Sequence, residues 1–123
     1  MERALQSAGS DSADYVNAHG TATLYNDATE GIAISQLLPG IPVSSTKSMM
    51  GHALGAAGAI EAVFCVLALR DRFLPPNIHF REPDPAWKFE VVANQSRPVS
   101  IRTALSNSFG FGGTNASLLF RAI

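Results

Sequence analysis

Three histidines and one cysteine are the residues of this sequence best equipped for chemistry, and their settings differ. His19 lies in Asn17-Ala-His19-Gly-Thr21-Ala-Thr23, just after a short apolar run. His52 closes Ser44-Ser-Thr-Lys47-Ser-Met-Met-Gly-His52, which also follows one. A third polar cluster, Ser106-Asn-Ser-Phe109-Gly-Phe111-Gly-Gly-Thr114-Asn115, is rich in glycine. All three stand at expected strand ends, where α/β sheets place ligands. Each has an ordinary explanation when taken alone. A single histidine after a strand is more often a hydrogen-bonded structural residue than a catalyst. A lysine five residues before a histidine is commonly surface decoration, and a glycine-rich hairpin turn is usually only a turn. His79, in a proline-rich stretch, reads as a surface or packing residue. No ligand pair among the histidines and Asp27 has metal-site spacing, so no metal is expected. Cys65 sits mid-helix among apolar neighbours, where burial raises a thiol pKa and keeps it inert.

The elements that must hold these clusters follow from pattern. Residues 1–9 favour a helix ending at Gly9. Tyr15-Val16 begins a short buried strand that ends at Asn17. Asn26 or Asp27 then caps a helix to about Leu38, ended by Pro39-Gly40. Ile41–Ser45 is a second short strand, followed by a loop over Thr46–Gly51 and a long helix from about His52 to Arg70. Two glycines inside that helix, Gly55 and Gly58, cost about 1 kcal/mol each against alanine and point to tight packing. Leu74–Trp87 is irregular and proline-rich, and Glu90–Ala93 is a strand. Arg102–Ser108 and Asn115–Arg121 alternate as an antiparallel pair joined by the turn Phe109–Thr114. The order predicts an α/β fold with a mixed sheet and helices packed on it.

The 123 residues fit one domain, 1–123, with 46% hydrophobic and 15% charged residues. A net charge of −1 gives no sign of nucleic acid or an anionic membrane as partner. Gly51–Leu69 holds a single acid, Glu61. Such a helix calls for burial on most sides, more than a domain of this size encloses, so a further surface is expected to pack there. One cysteine excludes an internal disulfide framework and fits a reducing cytoplasm. No signal peptide is visible, and Ala53–Leu69 is short for a bilayer span. The expectation is a soluble cytoplasmic protein.

Read together, DYVNAHGTAT…ND, SSTKSMMGHALGAAGAIE and ALSNSFGFGGTNASL resemble the three C-terminal signature blocks of decarboxylating β-ketoacyl-acyl-carrier-protein synthases, which have the thiolase-like fold. The blocks come in family order and cover essentially the whole chain. The wording is closest to the discrete synthase I/II-like enzymes of fatty acid biosynthesis. The resemblance implies the C-terminal half of such an acyltransferase. It implies decarboxylative Claisen condensation of malonyl-carrier protein with an acyl thioester, with no cofactor beyond the phosphopantetheine that carries the substrates.

By the same resemblance, His19 and His52 are the imidazole donors that stabilise the thioester oxyanion formed on decarboxylation. Lys47 and Glu61 match a buried ion pair, read as scaffolding that orients His52 and tunes its protonation. Asp27 matches a supporting acid, and equally a helix cap. Thr21 and Thr23 match hydroxyls that bind the pantetheine arm. Phe109, Gly110, Phe111, Gly112 and Gly113 match a mobile gate loop in which the Phe111 N–H is an oxyanion donor and its ring closes the acyl pocket. The family's nucleophilic cysteine belongs to the N-terminal half and has no counterpart here. The chain alone is therefore expected to be inactive and to need that half and acyl-carrier protein as partners. Self-association through the Gly/Ala-rich helix is also expected. The alternative is a non-catalytic partner subunit, either chain-length-factor-like or carrier-protein-binding.

Overall fold

The computed structural model describes residues 1–123. In chain order the elements begin with α1 (Glu2–Ser7), β1 (Val16–Asn17), α2 (Leu24–Leu37), β2 (Pro42–Ser44) and α3 (Lys47–Met50). They continue with α4 (Ala57–Asp71), β3 (Phe73–Leu74), β4 (Glu90–Val91), β5 (Arg97–Pro98), β6 (Thr103–Phe109) and β7 (Asn115–Arg121). The main sheet runs β4-β2-β1-β6-β7. β4, β2, β1 and β6 are mutually parallel, and β7 returns antiparallel along the full length of β6. This is the mixed sheet expected from the sequence, and it has helices on both faces.

The two faces separate by side-chain alternation. Val16 and Leu105 point into a core with Leu5 of α1 and Ile34 of α2. Their chain neighbours Tyr15 and Ala104 point into a second core with Cys65 and Ala68 of α4. β1 lies at the centre, and Tyr15, Val16 and Asn17 are wholly buried. Parallel strands covered on both faces carry unbroken apolar runs rather than alternation, which is why so short a strand was readable.

Three boundaries differ from expectation. α2 starts at Leu24 because Thr23 caps it, its Oγ1 accepting the Asn26 N–H at 3.3 Å; Asn26 and Asp27 lie inside the first turn. The stretch expected to be loop after β2 contains the short helix α3. α4 begins at Ala57, not His52, because Gly51 (φ 77°) and Leu54 (φ 51°) adopt left-handed backbone and a 3-10 turn intervenes at Leu54–Ala56. The small antiparallel ribbon β3–β5 was not anticipated; two residues per strand leave no periodicity to read.

α4 buries one stripe, Ala57, Glu61, Cys65 and Ala68, against the sheet. On another side Val63 and Val66 are 57% and 51% exposed. No helix is long and apolar enough to cross a membrane.

Candidate active site

The register of β1 and β2 brings the two histidine segments together. Val16 pairs with Val43 and Asn17 with Ser44, so both strands end side by side and release their loops at one edge. His19 follows two residues after β1, while α3 folds the chain back to deliver His52. The imidazole centroids lie 5.5 Å apart, edge to face at 86°. The Phe109 ring, from the end of β6, stands 5.6 Å from His19.

The protons of both rings can be placed. Lys47 Nζ lies 3.4 Å from His19 Nδ1, and an ammonium can only donate, so Nδ1 accepts and the ring proton sits on Nε2. His52 Nδ1 accepts the Leu54 N–H at 3.0 Å, which leaves its proton on Nε2 as well. The bend at Ala53 (φ −81°, ψ 18°) turns that N–H back toward the ring. Each ring thus uses Nδ1 as its acceptor and has its Nε2–H left free.

Burial, Lys47 and His52 together push the His19 pKa down to about 4, so His19 is neutral at pH 7. Lys47 also pairs with Glu61, and both side chains are buried. Glu61 Oε2 has no hydrogen-bond partner, and burial outweighs the lysine's pull to raise the carboxyl pKa. One expectation is corrected here: the ring that Lys47 touches is that of His19, while His52 is oriented by backbone.

These shifts predict a pH dependence. The folded chain favours neutral His19, so between pH 6.5 and about 4 the unfolded chain binds the extra proton. This group's stability contribution is complete above that window and is lost on acidification, at most about 3 kcal/mol. Glu61 has the opposite sign, its contribution being present at low pH and lost as pH rises. In urea unfolding, wild type minus His19→Gln cancels the Glu61 contribution. That difference should climb from pH 4 to 6.5, and a flat difference would contradict the placement of His19.

Glu30 is the residue the sequence reading missed. It is buried on α2, and its carboxylate accepts the N–H groups of His19 (2.9 Å) and Gly20 (3.0 Å). It also accepts Asn26 Nδ2 at 3.1 Å and Asn107 Nδ2 at 3.0 Å. Asn107 is in turn held by Ser117 of β7. A signal was available, since Glu30 shares the spacing of Ile34 and Leu38, so it stands on the helix's core-facing stripe. The acid expected to support the histidines, Asp27, instead accepts only the Asn26 side-chain amide, at 3.2 Å.

Thr21 and Thr23 hydrogen-bond each other at 3.1 Å at the mouth of the His19 loop, with Thr23 also serving as the α2 cap. The turn after β6 carries left-handed Gly112 and Gly113 (φ 78° and 84°), which a Cβ would oppose. The Phe111 ring there is fully exposed. A cavity of about 670 Å³ has Thr21, Lys47, His52 and Trp87 in its wall, a size suited to a small-molecule ligand. Cys65 is wholly buried on α4 and its thiol is pushed up to about 12, chiefly by desolvation. It is no nucleophile at neutral pH.

Residues 1–81 match the family described as Beta-ketoacyl synthase, C-terminal domain. The chain is 49% identical, over 98% of its length, to 3-oxoacyl-[acyl-carrier-protein] synthase 2 of Rhizobium meliloti, and covers 30% of that protein. Among solved structures it resembles the ishigamide ketosynthase/chain length factor, with TM-score 0.95 and 38% identity over 99% of this chain and 31% of that one. It also resembles a type II polyketide ketosynthase, AntDE, solved with its acyl-carrier protein AntF and bound to the hexaketide. That match has TM-score 0.92 and 38% identity, and again covers 99% and 31%. The chain therefore spans about three-tenths of the length of the relatives it matches. With the family match running from α1 through the histidine loops and α4, the chain belongs to the β-ketoacyl synthase C-terminal domain family and has its thiolase-like fold.

Proposed function

We propose that this segment supplies the decarboxylation apparatus of an acyl-chain-elongating synthase of the fatty-acid type. The observation that carries this reading is the convergence of two imidazoles, each accepting at Nδ1 and with Nε2–H free to donate. In the reaction the bond from C2 of a malonyl thioester to its carboxylate breaks, carbon dioxide leaves, and the electron pair passes through C2 to the thioester oxygen. His19 and His52 donate to that oxygen, and such preorganised donors are each worth about a hundred- to a thousandfold in rate. C2 then attacks an acyl thioester; its tetrahedral oxyanion is met by the Phe111 N–H on the glycine turn, and collapse breaks the C–S bond, releasing the acyl-bearing thiolate and leaving the 3-oxoacyl thioester. Thr21 and Thr23 guide the phosphopantetheine arm of an acyl-carrier protein. No further cofactor takes part, and the setting is the cytoplasm.

Cys65 is inert, so the acyl group must be held by a thiolate from another segment, and these residues alone do not condense substrates. Similarity to a ketosynthase/chain length factor pair leaves a second reading, a non-catalytic partner subunit. The paired Nε2–H donors favour the synthase.

A hybrid tests this. The corresponding C-terminal region of the Rhizobium meliloti synthase is replaced with this chain. Malonyl- and acyl-carrier protein should then yield the 3-oxoacyl product, with the acyl adduct mapped by mass spectrometry to the relative's portion and not to Cys65. A folded, acylated hybrid that forms no product would sink the synthase reading, and an adduct on Cys65 would overturn its assignment as inert.

The exposed stripe of Val63 and Val66 on α4 is the face that such a segment would cover. With it bare, the chain pairs with itself. Sedimentation velocity should show dimers that Val63→Glu abolishes. A monomer at hundreds of micromolar would refute this.

A further inference from the structure

Asn77 stands in the proline-rich stretch, outside the segments that carry His19 and His52. Both of its backbone groups are nevertheless pinned. Its N–H donates to the Val92 carbonyl at 2.7 Å, and its own carbonyl accepts the Asn94 N–H at 3.0 Å. It forms a parallel bridge with Ala93 that extends the β4 edge. The side chain therefore projects from a fixed base. Its Oδ1 accepts the N–H of Ser45, the first residue past β2, at 3.2 Å.

Ser45 is buried and faces the other way as well. Its hydroxyl donates to the Gly20 carbonyl at 3.1 Å, one residue beyond His19. The fit is close, since a Cβ on Gly20 would stand 2.5 Å from the Ser45 Cβ. Gly20 also has φ 45°. Two residues on from Ser45 is Lys47, the donor to His19 Nδ1. A displacement of Ser45 thus moves the His19 loop at Gly20 and the lysine that sets the His19 proton. Ser48 Oγ accepts the Ile78 N–H at 3.0 Å and donates to the Ser45 carbonyl at 2.9 Å, which ties the same two segments a second time.

We propose that Asn77 is a positioning residue: its side-chain oxygen fixes Ser45, and Ser45 sets the gap between the His19 loop and the segment that carries Lys47 and His52. The catalytic consequence rests on the function proposed above, but the positioning itself can be read without any turnover.

The readout is the tautomer signature of the His19 and His52 rings, told apart from His79 by a His79→Gln variant, in long-range proton–nitrogen spectra of the ¹⁵N-histidine-labelled chain at pH 7. In the wild type both rings should show a protonated Nε2 and an accepting Nδ1. In Asn77→Ala the His19 nitrogens should shift toward the tautomer-averaged position. The His52 pair should stay in place, because its Nδ1 partner, Leu54, belongs to its own turn. Asn77→Asp keeps an acceptor at Oδ1 and should restore the wild-type His19 signals. An unmoved His19 in Asn77→Ala overturns the proposal, as does failure of Asn77→Asp to restore it. If Asn77→Ala unfolds, both rings collapse together and Ser45→Ala decides: averaging confined to His19 supports the proposal, and an unchanged pattern ends it. An inactive hybrid would count against the proposed function and leave these spectra as they are, so the two failures are distinguishable.

Discussion

Lys47→Met should destabilise the chain by about 3–5 kcal/mol. Lys47 is 8% exposed and Glu61 1%, so removing the ammonium leaves a carboxylate with no counter-charge and no route to water. The isolated charge, rather than the lost attraction, accounts for most of the cost. Glu61 then titrates as a neutral acid, and the variant should recover stability as the pH is lowered. Replacing both partners, Lys47→Met with Glu61→Leu, removes the charge and fills the space. That double variant should return to within about 2 kcal/mol of the wild type. Urea unfolding of the four proteins of this cycle measures the coupling directly. A single variant within about 1 kcal/mol of the wild type would mean that the pair is solvated, against its burial. Lys47→Met also removes the donor to His19 Nδ1, so the His19 pKa should rise toward its ordinary value.

Glu30→Ala should cost about 4 kcal/mol or more, because three of its donors, the His19 and Gly20 N–H groups and the Asn107 amide, lose their partner inside the protein. Glu30→Gln keeps the shape and one acceptor oxygen but turns a donor toward the remaining N–H. It should fall between wild type and Glu30→Ala. Chemical denaturation at pH 7 gives the order. If the alanine variant were as stable as the glutamine one, the His19 loop would not depend on this carboxylate.

The sequence made some of this legible and concealed the rest for physical reasons. His19, Lys47 and His52 sit in polar segments that follow short apolar runs, and Glu61 stands out as the one acid of an otherwise apolar helix. The parallel strands that align them were visible as those runs. The β6–β7 hairpin was readable because its glycine turn interrupts a clear alternation. Glu30 was hidden because a glutamate in a helix is ordinarily a solvated residue, and only its coincidence with the Ile34 and Leu38 stripe marks it as buried. The start of α4 was misplaced because Leu54 is a good helix former. Its left-handed backbone is imposed by the turn around His52, a constraint that no local propensity carries. Asp27 was named as the supporting acid from the resemblance alone, and only the fold shows that Glu30 is the carboxylate turned inward onto the His19 loop.

The central claim is that His19 and His52 donate their Nε2 protons to the oxygen of a decarboxylating malonyl thioester. The most direct measurement is carbon dioxide release from carboxyl-labelled malonyl-carrier protein by the hybrid synthase, alongside acyl loading of its nucleophile. His19→Ala and His52→Ala should each lower carbon dioxide release by about a hundred- to a thousandfold while leaving acyl loading largely intact. Decarboxylation at the wild-type rate in either variant, with the fold preserved, would contradict the account.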